Sequence, residues 1–168
     1  MLALLAIEGE QSGYDLARAV RKAIGHVWSP ARSQLYAVLP RLARDGLARS
    51  RAVGQAARPD KRVYRITKAG RAALDEWLAH VEPGDASAFH LKAFVGGLMS
   101  RETLVAHYEQ FRDDALARLA ELRAIEPTNT GKGHDYHHRF LLRYGIERAE
   151  HDVAWAESAL RELRRRMR

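Results

Sequence analysis

The chain has 168 residues, with 28 Lys and Arg against 21 Asp and Glu, and no cysteine. This length allows one or two small domains with a real core. The missing thiols exclude disulfides, a cysteine nucleophile and thiolate metal sites, which fits a cytoplasmic protein. The placement of charge is more informative than its total: residues 1–80 carry 14 basic and 7 acidic side chains, and residues 81–168 carry 14 of each. The whole excess of +7 therefore sits in the front half, which predicts a polyanion-binding front half joined to a neutral back half.

Leu2, Leu4, Leu5 and Ile7 predict a first helix that stops near Glu8-Gly9. This apolar run is too short for a membrane span or a signal-peptide core. Because the helix starts almost with the chain, any upstream arm is expected to be missing or very short. Ser12-Gly-Tyr-Asp15 is a capping-box pattern, in which the serine oxygen accepts from an amide three residues on and the acid reaches back. Tyr14, Leu16, Ala17, Val20 and Ile24 then give a second helix one apolar stripe, and Gly25 ends it.

Ser29-Pro30 is expected to open a third helix, with serine as N-cap and proline at the first helical position. Leu35, Val38, Leu39 and Leu42 form its buried stripe, and Gly46 stops it. Arg32, Ser33, Gln34, Tyr36 and Arg41 lie largely off that stripe. These side chains are suited to phosphates and base edges: glutamine can pair with adenine through two hydrogen bonds, and arginine with guanine.

Leu47, Arg49, Arg51 and Val53 alternate as in a strand, Gly54–Asp60 reads as a loop, and Arg62–Ile66 reads as a second strand. This hairpin carries Arg49, Arg51, Arg58, Lys61, Arg62 and Arg65. Thr67 is placed to cap a fourth helix, Lys68–His80, with Ala69, Ala73, Leu74, Trp77 and Leu78 as its apolar positions. Three helices, a basic hairpin and a closing helix make a winged helix-turn-helix, whose third helix enters the major groove while the wing touches backbone or minor groove. For any one residue, such as Gln34 or Tyr36, a solvated face is the simpler explanation; the joint pattern carries the reading.

The segments SGYDLA, SQLYAVLPRLARDGL and RVYRITKAGRAAL, in register through residues 2–80, resemble the DNA-binding domain of the PadR family of transcriptional regulators. Trp28 ahead of Ser33-Gln34-Leu35-Tyr36 is similar to the branch of that family containing a virulence-gene activator. The resemblance implies that Ser33, Gln34 and Tyr36 lie on the recognition helix, that Arg62 and Tyr64 lie on the wing, and that Gly13 and Gly46 are structural.

Val81–Ala86, with Pro83-Gly84, reads as a hinge between a DNA-binding domain (residues 1–80) and a helical region (87–168). Ser87 is expected to cap a helix bearing Leu91, Phe94, Val95 and Leu98, which Gly96-Gly97 weakens near its end. Ser100 starts a longer helix with Leu104, Tyr108, Phe111, Ala115, Leu119 and Leu122 on one side, and Pro127–Gly133 is a polar turn. In the last helix Leu142, Ile146, Ala149, Val153, Ala156, Leu160, Leu163 and Met167 alternate spacings of four and three, a heptad seam that asks for a partner. The preceding long helix can supply it as an antiparallel pair, and a second copy of the chain can pack on that pair. Dimerisation is the preferred reading, because winged helices read two-fold sites as dimers. LLRYGIERAEHDVAWAESAL is similar to the C-terminal dimerisation region of PadR-family members with a long back half. The expected fold is mainly α, a winged helix-turn-helix followed by an antiparallel coiled-coil-like region.

Tyr144, His151 and Trp155 line up on a second face of the last helix. Packing is the simpler explanation of such a stripe. The sharper one is the wall of an aromatic effector pocket, which phenolic-acid-sensing members of the family suggest. His134, His137 and His138, with Asp135, do not fix a zinc site: the spacing is not read as a helical i, i+4 pair and no fourth ligand is defined. Phosphate loops, dinucleotide fingerprints and nucleophile elbows are absent from the sequence, so no enzyme, metal or cofactor is expected. The expected function is a sequence-specific regulator of double-stranded promoter DNA: a homodimeric repressor on a two-fold operator, released by a small aromatic effector. The alternatives are a ligand-independent activator and, more distantly, a winged helix used for non-specific nucleic-acid or protein contacts.

Overall fold

A computed structural model describes residues 1–23, 25, 31–55, 58–125 and 134–165. Its elements follow the periodicities closely: α1 (Leu2–Glu8), β1 (Gln11–Ser12), α2 (Gly13–Ala23), α3 (Arg32–Arg44), β2 (Ala48–Gln55), β3 (Arg58–Ile66), α4 (Lys68–Ala79), α5 (Ala86–Phe94), a 3-10 turn (Gly96–Leu98), α6 (Arg101–Ile125) and α7 (His134–Arg165). The backbone divides into two compact units, Met1–His80 with His90–Met99, and Val81–Phe89 with Ser100–Arg168. No helix among the described residues is long and apolar enough to cross a membrane.

The first unit is a winged helix. Leu4, Leu5, Leu16, Val20, Leu39, Ala48 and Tyr64 form one buried cluster beneath α1, α2, α3 and the sheet. Ala3, Leu74, Leu78 and Val95 form a second, closed by α4. α3 ends in a Schellman motif: the Leu47 amide donates to the Leu42 carbonyl at 2.9 Å and the Gly46 amide to the Ala43 carbonyl at 3.2 Å. That geometry needs the left-handed backbone which Gly46 adopts at φ 73°. Thr67 caps α4 as expected, its Oγ1 accepting from the Gly70 amide at 3.0 Å. Deep under α4, Lys92 donates to the His80 carbonyl and stands 4.9 Å from the Trp77 ring centroid, a buried ammonium satisfied by the end of a helix and an aromatic face.

Several boundaries depart from the sequence expectations. α3 starts at Arg32 with Ala31 as N-cap, not at Pro30; Trp28, Ser29 and Pro30 lie outside the described residues, as do Ile24, Pro127–Gly133 and Met167. The wing strands run on through most of the expected Gly54–Asp60 loop, because Gln55 still pairs with Arg58 beyond a bulge at Val53/Gln55. A third strand, β1, pairs antiparallel with β3 in the order β1-β3-β2. The helix expected from Ser87 is capped instead by Asp85, whose Oδ1 accepts from the Ala88 amide at 2.9 Å. α7 begins at His134, so His134 and His138 are one turn apart on a helix, contrary to the spacing argument.

In the second unit α6 and α7 pack along their length. Phe111, Ala115 and Leu119 are buried on α6, and Ala149, Ala156 and Leu160 on α7. Ion pairs Arg164–Glu109 and Arg123–Glu150, both 2.6 Å, lie in one antiparallel register. Ser100 caps α6, its Oγ accepting from the Thr103 amide at 3.1 Å.

Candidate nucleic-acid interface

α3 turns its apolar stripe inward, with Leu35 and Leu39 buried, and this leaves Ser33, Gln34, Tyr36 and Arg41 exposed. Arg32 opens the helix; its side chain and that of Arg58 lie outside the described residues. Gln34 is already engaged, its Oε1 accepting from the Ala31 amide at 3.3 Å. Reading adenine through two bonds therefore requires it to leave the helix N-terminus. Pro40 stands inside α3, and without an N–H it cannot bond the Tyr36 carbonyl one turn back.

Tyr36 is seated by a close approach. A Cβ on Gly13 would stand 2.8 Å from Tyr36 Cε1 and 3.2 Å from Leu39 Cδ1. The absent side chain at the start of α2 thus lets α3 bring its aromatic ring to the surface. Tyr14 stands beside it, 59% exposed against 48% for Tyr36. Together with Lys61, Arg62 and Tyr64 they line a concavity of about 240 Å³. Tyr14, expected in the apolar stripe of α2, instead stands exposed at this concavity; its position two residues past a capping serine is the available signal.

The electrostatics of this surface are set by two carboxylates. Ser12 Oγ accepts from the Asp15 amide at 3.2 Å and donates to Asp15 Oδ2 at 2.7 Å. The acid thus takes the serine hydroxyl, while the Ser12 backbone lies opposite Val63 in the sheet. The Ser12 hydroxyl is the main cause that holds the Asp15 carboxyl below the usual carboxylate range, helped by the charges of Lys61 and Arg18. Lys61 Nζ lies 4.0 Å from Asp15 Oδ2. Glu10 takes Arg51 through two bonds, at 3.1 Å and 2.5 Å, so this wing arginine is neutralised. The same pairing holds the Glu10 carboxyl low.

The wing register sorts the remaining basic side chains, since directly opposite residues share a face. Ala48 pairs with Ile66, Ser50 with Tyr64 and Ala52 with Arg62; Arg49 pairs with Arg65, Arg51 with Val63 and Val53 with Lys61. The first set faces the core at its base and carries Arg62 outward at its tip. Tyr64 is 6% exposed and sits in the main cluster, so it packs the core and reaches the surface only at the concavity.

The second unit distributes its candidate residues differently. Of the heptad positions, Ala149, Ala156 and Leu160 are buried and Leu142, Ile146, Val153 and Leu163 partly so, within a unit whose only other long helix among the described residues is α6. Phe140, Leu141 and Tyr144 are exposed at 60%, 71% and 60%. Trp155 joins an aromatic group, its ring centroid 5.6 Å from Tyr108, 5.8 Å from Phe111 and 6.0 Å from Phe89. Burial raises the Tyr108 phenol above its ordinary range. Tyr144 and His151 are exposed and do not join that group. An apolar cavity that sequence reasoning did not anticipate lies in the first unit, about 300 Å³, lined by Leu4, Val20, Val38, Leu42, Trp77 and Phe94 among others.

Two family models account for most of the chain. Residues 1–76 match the transcriptional regulator PadR-like family, and residues 87–164 match the virulence activator alpha C-terminal family. Residues 1–76 are a domain of the PadR-like family of transcriptional regulators. Among its relatives is the negative transcriptional regulator PadR of Bacillus subtilis, 28% identical over 164 residues, covering 91% of this chain and 90% of the relative. Crystal structures of that protein are similar to this chain. The complex with operator DNA has 27% identity, a TM-score of 0.46 and coverage of 96% and 97%. The complex with p-coumaric acid has 26% identity, a TM-score of 0.42 and coverage of 96% of each chain.

Proposed function

We propose that this member of the PadR-like family is a homodimeric repressor acting in the cytoplasm at the nucleoid. It binds a two-fold symmetric operator and is released by a small aromatic acid. In this reading residues 1–80 read the DNA, 81–86 act as a hinge and 87–168 dimerise. The observation that carries it is the convergence of α3 and the wing: exposed Ser33, Gln34, Tyr36 and Arg41 stand beside the Tyr14, Lys61 and Arg62 concavity. Arginine and lysine on phosphates supply affinity, so binding weakens steeply with salt, and α3 supplies base preference. Kinship with a negative regulator favours repression over activation. The dimer contact continues the α6–α7 pair through exposed Phe140, Leu141 and Tyr144. The effector class follows from the p-coumaric acid complex of the relative.

The test is fluorescence anisotropy of the purified protein on its own upstream region, near physiological salt, with scrambled duplex as competitor. Tight binding that scrambled DNA fails to displace is the expected result. Equal competition would leave a basic polyanion binder and overturn the regulator.

A further inference from the structure

The apolar stripe of α3 packs Leu35 and Leu39 into the core. The line opposite it runs through Ser33, Ala37, Pro40 and Arg44, at spacings of four, three and four, and all four are exposed. This line is the middle of the face that α3 turns outward, with Tyr36 on one flank and Gln34 and Arg41 on the other. The side chains at its two central positions, Ala37 and Pro40, carry no hydrogen-bonding atom. Arg44, one turn further on, is drawn to Asp45, its Nε donating to Oδ1 at 3.5 Å. Proline is the least favourable residue in a helix interior, because it lacks the N–H and its ring crowds the preceding turn. Pro40 is exposed, so no packing in the core of the protomer offsets that cost. The helix thus holds a methyl and a rigid ring at the centre of its outer face, where a lysine or glutamine would suit it better.

A base edge that faces Ala37 and Pro40 meets them only through carbon. In the major groove adenine, guanine and cytosine present donors and acceptors, and thymine alone adds a methyl group. We propose that Ala37 and Pro40 select thymine, by packing on its C5 methyl in the groove that α3 enters. The two residues stand roughly 4.5 Å apart along the helix axis, and base pairs stack roughly 3.4 Å apart. One methyl, or two from adjacent base pairs, therefore fits the patch. Tyr36 precedes Ala37 and also lines the concavity of Lys61 and Arg62, so the patch is continuous with the basic surface. Bounded by Ser33, Gln34, Arg41 and Arg44, it is far too small to seat a protein partner. Gln34 reads a base through hydrogen bonds, whereas this selection is lost when one methyl is removed. The proposal rests on the duplex-binding reading above.

The test starts from the duplex that the purified full chain enriches from a random pool, with affinities read by fluorescence anisotropy. The enriched half-site holds a thymine at a fixed position. Replacing that thymine with deoxyuridine removes the C5 methyl and keeps every hydrogen bond of the base pair. Wild type then binds about fourfold more weakly for one half-site and roughly fifteenfold for both, the value of one buried methyl at each. Pro40→Ala removes a helix breaker and folds at least as well as wild type. It and Ala37→Gly each shrink the gap between thymine and deoxyuridine, while the slope of log affinity against log salt stays unchanged. An enriched half-site in which no thymine responds to the loss of its methyl overturns the contact and leaves the regulator standing. So does a response that keeps its full size in both variants. If no sequence is enriched, the regulator reading falls, and the selection of thymine falls with it.

Discussion

Gln34 and Arg62 separate the two kinds of contact a regulator makes. Gln34→Ala should relax base preference at one operator position, costing about 1–3 kcal/mol there, while Arg62→Ala should weaken all duplexes together and flatten the salt slope. Anisotropy over single-base operator variants decides between them; an equal loss on every sequence for Gln34→Ala would remove glutamine from base readout. The bond from the Ala31 amide adds a correction, because the variant also loses a partner at the α3 N-terminus and should melt slightly lower than wild type. Gly13 gives a sharper case. Glycine to alanine inside a helix ordinarily stabilises by up to about 1 kcal/mol. Here the new Cβ would lie 2.8 Å from the Tyr36 ring and 3.2 Å from Leu39, and overpacking of that kind costs about 1–3 kcal/mol. The clash wins, so Gly13→Ala should lower the melting temperature and, by displacing Tyr36, reduce operator affinity. A variant that melts higher and binds normally would show that Tyr36 yields freely.

At the scale of elements, most of the winged helix was legible because its helices have apolar stripes and some, as at Ser12 and Thr67, a capping side chain. Thr67 and Ser100 cap where expected, and Gly46 ends α3 as a glycine able to adopt positive φ must. What escaped the sequence depends on partners distant in the chain. Two residues of β1 carry no periodicity, and only pairing with Val63 and Tyr64 makes them a strand. The same holds for the extended wing strands, where cross-strand bonds override the loop character of Gly54 and Pro59. Arg51 reads as a free cation until Glu10, 41 positions away, is found holding it. The Ser12–Asp15 cap of α2 carries a pH dependence. Asp15 has a depressed folded pKa, so its contribution is present above the unfolded carboxylate value and is lost as pH falls through the folded one. Asp15→Ala should therefore melt below wild type at neutral pH, and the gap should close in acid. A gap that persists undiminished well below the carboxylate range would assign the loss to packing. Tryptophan tests the proposed effector: if an aromatic acid such as the relative's p-coumaric acid docks at the α6–α7 aromatic group, it should quench wild type, and Trp155→Phe should abolish the response. Loss of the response in Trp77→Phe instead would move the effector to the cavity behind α3.

On the scale of the whole molecule, one winged helix holds one half-site, and affinity for a two-fold operator depends on tethering two of them. The second half-site is then met at an effective concentration set by the tether, which multiplies affinity without new contacts. The heptad seam of α7 is largely consumed in the α6–α7 pair, since Ala149, Ala156 and Leu160 are buried within a single chain. In the proposed dimer the contact between copies therefore falls to apolar surface that remains outside, and Leu141 is its most exposed member at 71%, flanked by Phe140 and Tyr144 at 60% each. A charge at that position touches nothing in the protomer's core, so Leu141→Asp should leave the protomer fold intact. It should nevertheless split the dimer, because burying an unpaired carboxylate in an apolar contact costs several kcal/mol. Sedimentation velocity should show a monomer with an unchanged helical circular dichroism spectrum. Operator affinity should fall toward that of an isolated half-site, while the affinity for a half-site duplex stays the same. A variant that sediments as a dimer and binds the operator normally would place the contact elsewhere on the α6–α7 pair, with Leu116 and Ile125, exposed on α6, as the next residues to change.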